Sequence, residues 1–157
     1  MTAFEFHAAD ESGTDALGAA LAAHLPRQLT IALDGTLGAG KTRLVQAVAV
    51  ACCIDRRDVL SPTFVLGQHY RGARTIHHFD LYRLKDEDEL ESLGLDEYFD
   101  SPSLTFVEWA DKFPGCLPEE HLEIAIRVTG ETSRTFTFHP HGHAAEEAMR
   151  TIAANLR

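Results

Sequence analysis

The sequence predicts a layered α/β domain built on a mixed, mostly parallel sheet with helices on both faces, and three observations carry that expectation. Short apolar runs alternate with segments of helical spacing along the 157 residues. A glycine-rich stretch, residues 35–40, lies between one such run and one such segment. Residues 64–70 and 75–80 are two further runs joined by the short turn Arg71, Gly72, Ala73, Arg74, as in a hairpin, so the sheet is not purely parallel.

The elements follow in order. A strand is expected near residues 4–7. Asp10, Ser12 and Thr14 then supply capping chemistry, and Ala16, Leu17, Ala20, Leu21 and Leu25 recur at helical spacing until Pro26 ends the helix. Residues 29–33 (LTIAL) are apolar throughout, as in a strand buried on both faces. Residues 41–54 read as a strongly apolar helix. Residues 86–93 form a short acidic helix stopped by Gly94, and residues 104–108 (LTFVE) form another apolar strand, ending in a carboxylate. Two late strands, 122–128 and 135–138, flank a turn at Gly130. A terminal helix covers 144–156. The chain reads as one domain over 1–157.

Composition narrows the function classes. Fourteen Lys and Arg against 24 Asp and Glu leave a net charge of −10. Nucleic-acid binding depends on Lys and Arg displacing counterions, so any link to RNA is expected through a partner. The same charge argues against anionic lipid. Three cysteines, two of them adjacent, read as thiols of a reducing compartment. Residues 1–10 carry acids and no basic stretch before an apolar run, unlike a secretory signal. The longest apolar run, residues 47–54, is far below the ~18 residues of a membrane span. A cytoplasmic protein with no membrane association is the expectation.

The strongest motif is Gly35-Thr36-Leu37-Gly38-Ala39-Gly40-Lys41-Thr42, which fits G-x-x-x-x-G-K-[ST] at every fixed position. Glycines let the backbone curl until successive N–H groups face phosphate oxygens, and the following helix N-terminus adds positive potential. Lys41 is placed to reach terminal phosphates and Thr42 to ligate Mg²⁺. With an apolar strand before it and a helix after it, the motif predicts a P-loop NTPase-like fold. Phosphoryl transfer also requires acids near the metal. Asp80 and Glu108 end apolar strands, where open α/β sheets place their ligands. Either can hold Mg²⁺, directly or through water, while the other orients the attacking water.

Four segments together resemble a known family: residues 35–42 (GTLGAGKT), 61–64 (SPTF), 78–84 (HFDLYRL) and 107–109 (VEW). Their order and spacing resemble the TsaE family (also called YjeE), the ATPase component of bacterial tRNA N6-threonylcarbamoyladenosine (t6A) synthesis. The likeness extends through Glu89, Leu90, Gly94, Tyr98 and Phe99, over roughly residues 10–135. It implies that the loop residues Gly35, Leu37, Gly38, Ala39, Gly40, Lys41 and Thr42 bind ATP phosphates, with Thr42 and Glu108 on Mg²⁺. It further implies that Asp80 is a second acid needed for hydrolysis and Thr63 a switch threonine sensing the γ-phosphate. The resemblance also implies that Trp109 lies beside the site and that Thr14 and Arg134 bracket the base. Thr36 departs from the family, which often has an acid there, and only local charge should change. The implied partners are transferase subunits of the TsaD and TsaB type, reset by ATP hydrolysis, with tRNA met only indirectly.

Two other classes compete. A small-molecule P-loop kinase needs an Arg-bearing lid, for which Arg56 and Arg57 are the candidates. A regulatory GTPase needs an N-K-x-D segment, and Asn155 is the only asparagine. Among the nine histidines, the alternating run His139, His141, His143 reads as a polar loop before the terminal helix rather than a metal site. His78 shares a face with Asp80 and is a candidate to orient it. The acids of residues 86–91 read as a solvated face, the alternative being a docking edge for a basic partner. Arg56/Arg57 and Arg71/Arg74 are expected on the surface.

Overall fold

The computed structural model describes residues 3–61 and 66–156. Strand β1 (Phe4–Ala8) leads into helix α1 (Glu11–His24). Asp10 caps α1, its Oδ1 accepting the Gly13 N–H at 3.2 Å. Strand β2 (Leu29–Asp34) is buried over its first five residues. The glycine loop follows, then helix α2 (Lys41–Ala51), which ends three residues earlier than its apolar pattern suggests because Cys53 turns left-handed at φ 65°. Strands β3 (Gly67–Arg71) and β4 (Thr75–Asp80) pair antiparallel, as the hairpin reading requires. Short helices α3 (Glu87–Ser92) and α4 (Leu95–Phe99) precede strand β5 (Leu104–Glu108). Strands β6 (His121–Val128) and β7 (Arg134–His141) and helix α5 (His143–Asn155) complete the order.

The seven strands of the described residues form one sheet, in the order β1-β7-β6-β2-β5-β4-β3. The central four, β6, β2, β5 and β4, run parallel, and each flank is antiparallel. The two faces carry separate cores. On one, Ile31, Phe106, Phe136 and Phe138 pack under Leu17, Leu21, Leu44 and Met149 of α1, α2 and α5. On the other, Ala32, Phe79 and Val107 meet Leu95 and Phe99 of α4 and Leu84 and Phe113 of the loops. Gly18 lets α1 and α2 touch, since a Cβ there would stand 2.4 Å from the Ala47 methyl.

Three local expectations change. Helix α4 lay unread because five residues after Gly94 hold too little pattern to register. The histidine run is not a loop. His139 and His141 extend β7, and His143 opens α5. Pro140 is tolerated there because β1 stops opposite Phe138, so this end of β7 pairs with β6 alone. Arg74 is not a free surface cation. Its guanidinium donates to the carbonyls of Ala22 at 2.9 Å, Leu25 at 3.0 Å and Pro26, holding the C-terminus of α1.

Candidate functional site

The parallel core brings the site together. Leu33 of β2, Glu108 of β5 and Asp80 of β4 are register partners, so three strand ends finish level with one another. The chain leaves β2 through Gly35 and turns through Gly38 and Gly40, which have φ of 79° and 112°. Only glycine adopts the latter without strain. Among the described residues no side chain caps α2, so its first-turn N–H groups are left without a side-chain acceptor there.

Lys41 opens α2 and turns its ammonium inward over the strand ends. Its Nζ donates to the Gly35 carbonyl at 2.9 Å, lies 3.6 Å from Glu108 Oε1 and sits 4.7 Å from the centre of the Trp109 ring. Lys41 and Glu108 are 6% and 4% exposed, so little water screens the pair. Trp109 holds this position with a left-handed φ of 62°, rare for a bulky residue and a mark of a constrained site. Its ring also lies 5.0 Å from that of Tyr82.

The two acids differ. Glu108 has a partner on each oxygen: Lys41 forms an ion pair with Oε1 at 3.6 Å, and His78 Nε2 lies 2.5 Å from Oε2. Asp80 accepts the Tyr82 N–H at 2.9 Å. Burial pushes the Asp80 carboxyl above its usual value, and the Glu108 charge adds to this. The Tyr82 N–H, Lys41 and His78 oppose it. His78 therefore bonds Glu108 and not Asp80, contrary to the shared-face reading. Sharing a face put His78 within reach of both acids, and the hydrogen bond goes to the neighbouring strand.

Thr14 and Arg134, far apart in sequence, line one cavity of about 280 Å³ with Gly38, Ala39 and Gly40. Arg134 Nε donates to the Ala39 carbonyl at 2.9 Å, which ties β7 to the loop. Leu37 projects from the loop tip, 87% exposed. Thr42 lies half-buried in the first turn of α2. Thr63 lies outside the described residues. Sequence reasoning missed Tyr82 and Lys112, whose Nζ donates to the Tyr82 carbonyl at 2.5 Å. Tyr82 had a signal, standing two residues after Asp80, whose side chain binds its N–H. Among the described residues, no three His, Cys, Asp or Glu side chains gather as a metal cage.

Fold and site together define an α/β protein with its polar cluster at the carboxyl ends of parallel strands, where such sheets bind ligands. The family model for "Threonylcarbamoyl adenosine biosynthesis protein TsaE" matches residues 8–136. The chain belongs to the TsaE family, which serves t6A biosynthesis. The TsaE protein of Bacillus subtilis (strain 168) is 42% identical over 117 residues, covering 74% of this chain and 72% of that protein. The TsaE protein of Haemophilus influenzae is 39% identical over 104 residues, 66% of this chain and 65% of its own length. The crystal structure of Bacillus subtilis YdiB superposes with a TM-score of 0.82 at 27% identity, covering 99% of this chain and 97% of that one. Among the described residues, no helix is long and apolar enough to cross a membrane.

Proposed function

We propose that this chain is a Mg²⁺-dependent ATPase that serves tRNA t6A modification by binding and resetting a transferase complex of TsaD- and TsaB-type subunits. The observation that carries this reading is the buried Lys41 ammonium between Gly35, Glu108 and Trp109 at the start of an uncapped helix, with Asp80 one strand away.

The residues support each role. Uncapped N–H groups at the start of α2 supply donors for phosphate oxygens. Lys41 exchanges its carbonyl contact for the terminal phosphates. Thr14 and Arg134 face a cavity beside the loop that takes the base. Thr42, Glu108 and Asp80 offer a hydroxyl and carboxylates, hard oxygen donors that fit Mg²⁺. That ion takes one or two carboxylates and completes its shell with phosphates and water. Bound there, it would neutralise charge on the phosphates. The carboxylate left free of metal orients the attacking water. Thr63 keeps its γ-phosphate role on sequence resemblance alone. Threonylcarbamoyl transfer itself belongs to a partner subunit.

The test is ATP turnover by the full chain with Mg²⁺, alone and with TsaD- and TsaB-type subunits. Turnover should rise with partners present, association should depend on nucleotide, and Lys41→Ala should lower turnover about 100-fold or more. Full turnover by Lys41→Ala overturns the site. ATP-dependent phosphorylation of a nucleoside or sugar would point instead to a kinase.

A further inference from the structure

We propose that His78 is a positioning residue for Glu108, holding one carboxylate oxygen so that the other stays aimed at Lys41 and the phosphate site. This rests on the ATPase reading above and extends it to a residue with no role there.

The geometry is specific. His78 on β4 pairs in register with Phe106, so Glu108 stands two residues further along the neighbouring strand, on the same face. From there Nε2 reaches Glu108 Oε2 at 2.5 Å, while Oε1 faces Lys41 at 3.6 Å. A carboxylate only accepts, so Nε2 carries the hydrogen and donates. His78 is fully buried, and its Nδ1 has no partner among the described residues.

That orphan nitrogen is informative. A Leu or Phe would fill the same place in an apolar strand face without desolvating a ring nitrogen. The one thing the imidazole adds is the bond to Glu108. A glutamate side chain has three rotatable bonds, and among the described residues Glu108 is otherwise held only from the Lys41 side. The ring fixes the carboxylate plane, as partners behind metal ligands do.

The test compares His78→Gln with His78→Asn in the full chain. The Gln amide nitrogen takes the place of Nε2 and reaches Glu108. The Asn amide takes the place of Nδ1 and does not. Both are neutral and polar, so a merely structural role predicts similar losses. Trp109 is the only tryptophan and lies against Lys41, so its fluorescence reports nucleotide binding. The measurements are the Mg²⁺ concentration for half the ATP-induced fluorescence change, kcat, KM and Tm.

The Gln variant should stay within about threefold of the parent. The Asn variant should need about 10–100-fold more Mg²⁺ or lose that factor in kcat, with KM for ATP nearly unchanged. Equal behaviour of the two variants, or an Asn variant matching the parent, overturns the proposal. If the Asn variant does not fold, a folded Gln variant that has lost the Mg²⁺ response overturns it, and one that keeps the response supports it. A parent chain with neither Mg²⁺-dependent fluorescence change nor turnover overturns the ATPase reading itself, a separate result.

Discussion

His77 and His78 are neighbours on β4, yet they serve two unlike regions. The pleat sends them to opposite faces of the sheet. His78 enters the buried charged cluster and bonds a carboxylate. His77 enters an aromatic cluster. Its Nδ1 lies 2.8 Å from that of His69, and its ring centre is 4.7 Å from that of Tyr98. His69 stacks on the same tyrosine at 5.1 Å. One side of the strand offers a histidine an acid and a cation nearby. The other offers burial, a second imidazole and Arg71, and there the His77 pKa falls to about 4. Side-chain type did not decide between these environments. Strand phase did.

The charged side should respond most. Asp80→Asn should lower ATP turnover about 100-fold or more, the size of effect that loss of one preorganised electrostatic group at a reacting centre produces. It should also raise Tm in metal-free buffer at neutral pH. A raised carboxyl pKa means the ionised form is penalised in the fold, so stability falls as pH rises above about 3.8, and Asn removes that penalty. Thermal melts of the parent and the variant check the sign. A lower Tm would mean that the Asp80 charge is held by its neighbours rather than burdened by burial.

Glu108→Gln tests the pairing next to it. Lys41 would keep the Gly35 carbonyl but lose its buried counter-charge, for which about 3 kcal/mol of stability loss is expected. Denaturant unfolding measures it. Opposite stability changes at two adjacent acids would confirm that Glu108 is compensated and Asp80 is not.

The aromatic side should respond least, and only to acid. His77 is depressed from 6.5 to about 4. The unfolded chain therefore binds more protons between those values, and stability is lost as pH falls from about 6.5 toward 4. His77→Phe should flatten that part of the profile while leaving ATP turnover near the parent level. Tm against pH for both proteins decides, and parallel curves would remove His77 as the cause.

Much of the fold was legible because it is written in local pattern. The run of residues 29–33 marked the central strand, and Asp10 marked the start of α1. Lys41, Asp80 and Glu108 were also legible, as a motif lysine and as acids ending apolar runs. Thr14 and Arg134 came from family likeness alone, and no periodicity links residues so far apart. The Arg74 cap on α1 and the His78–Glu108 bond were out of reach for the same reason. Each depends on which strands become neighbours.

By itself the sequence determined the elements, the glycine loop and the chemical types at the strand ends, since propensity, capping and hydrophobic period are properties of adjacent residues. The tertiary structure decided which acid meets a buried cation and an imidazole and which meets burial and one backbone N–H. Sheet order puts β5 between β2 and β4, which brings Lys41 and His78 to opposite oxygens of Glu108. Asp80, one strand further out, accepts a single N–H among the described residues. Electrostatic environment depends on distances across the sheet, and strand order, register and phase together set those distances.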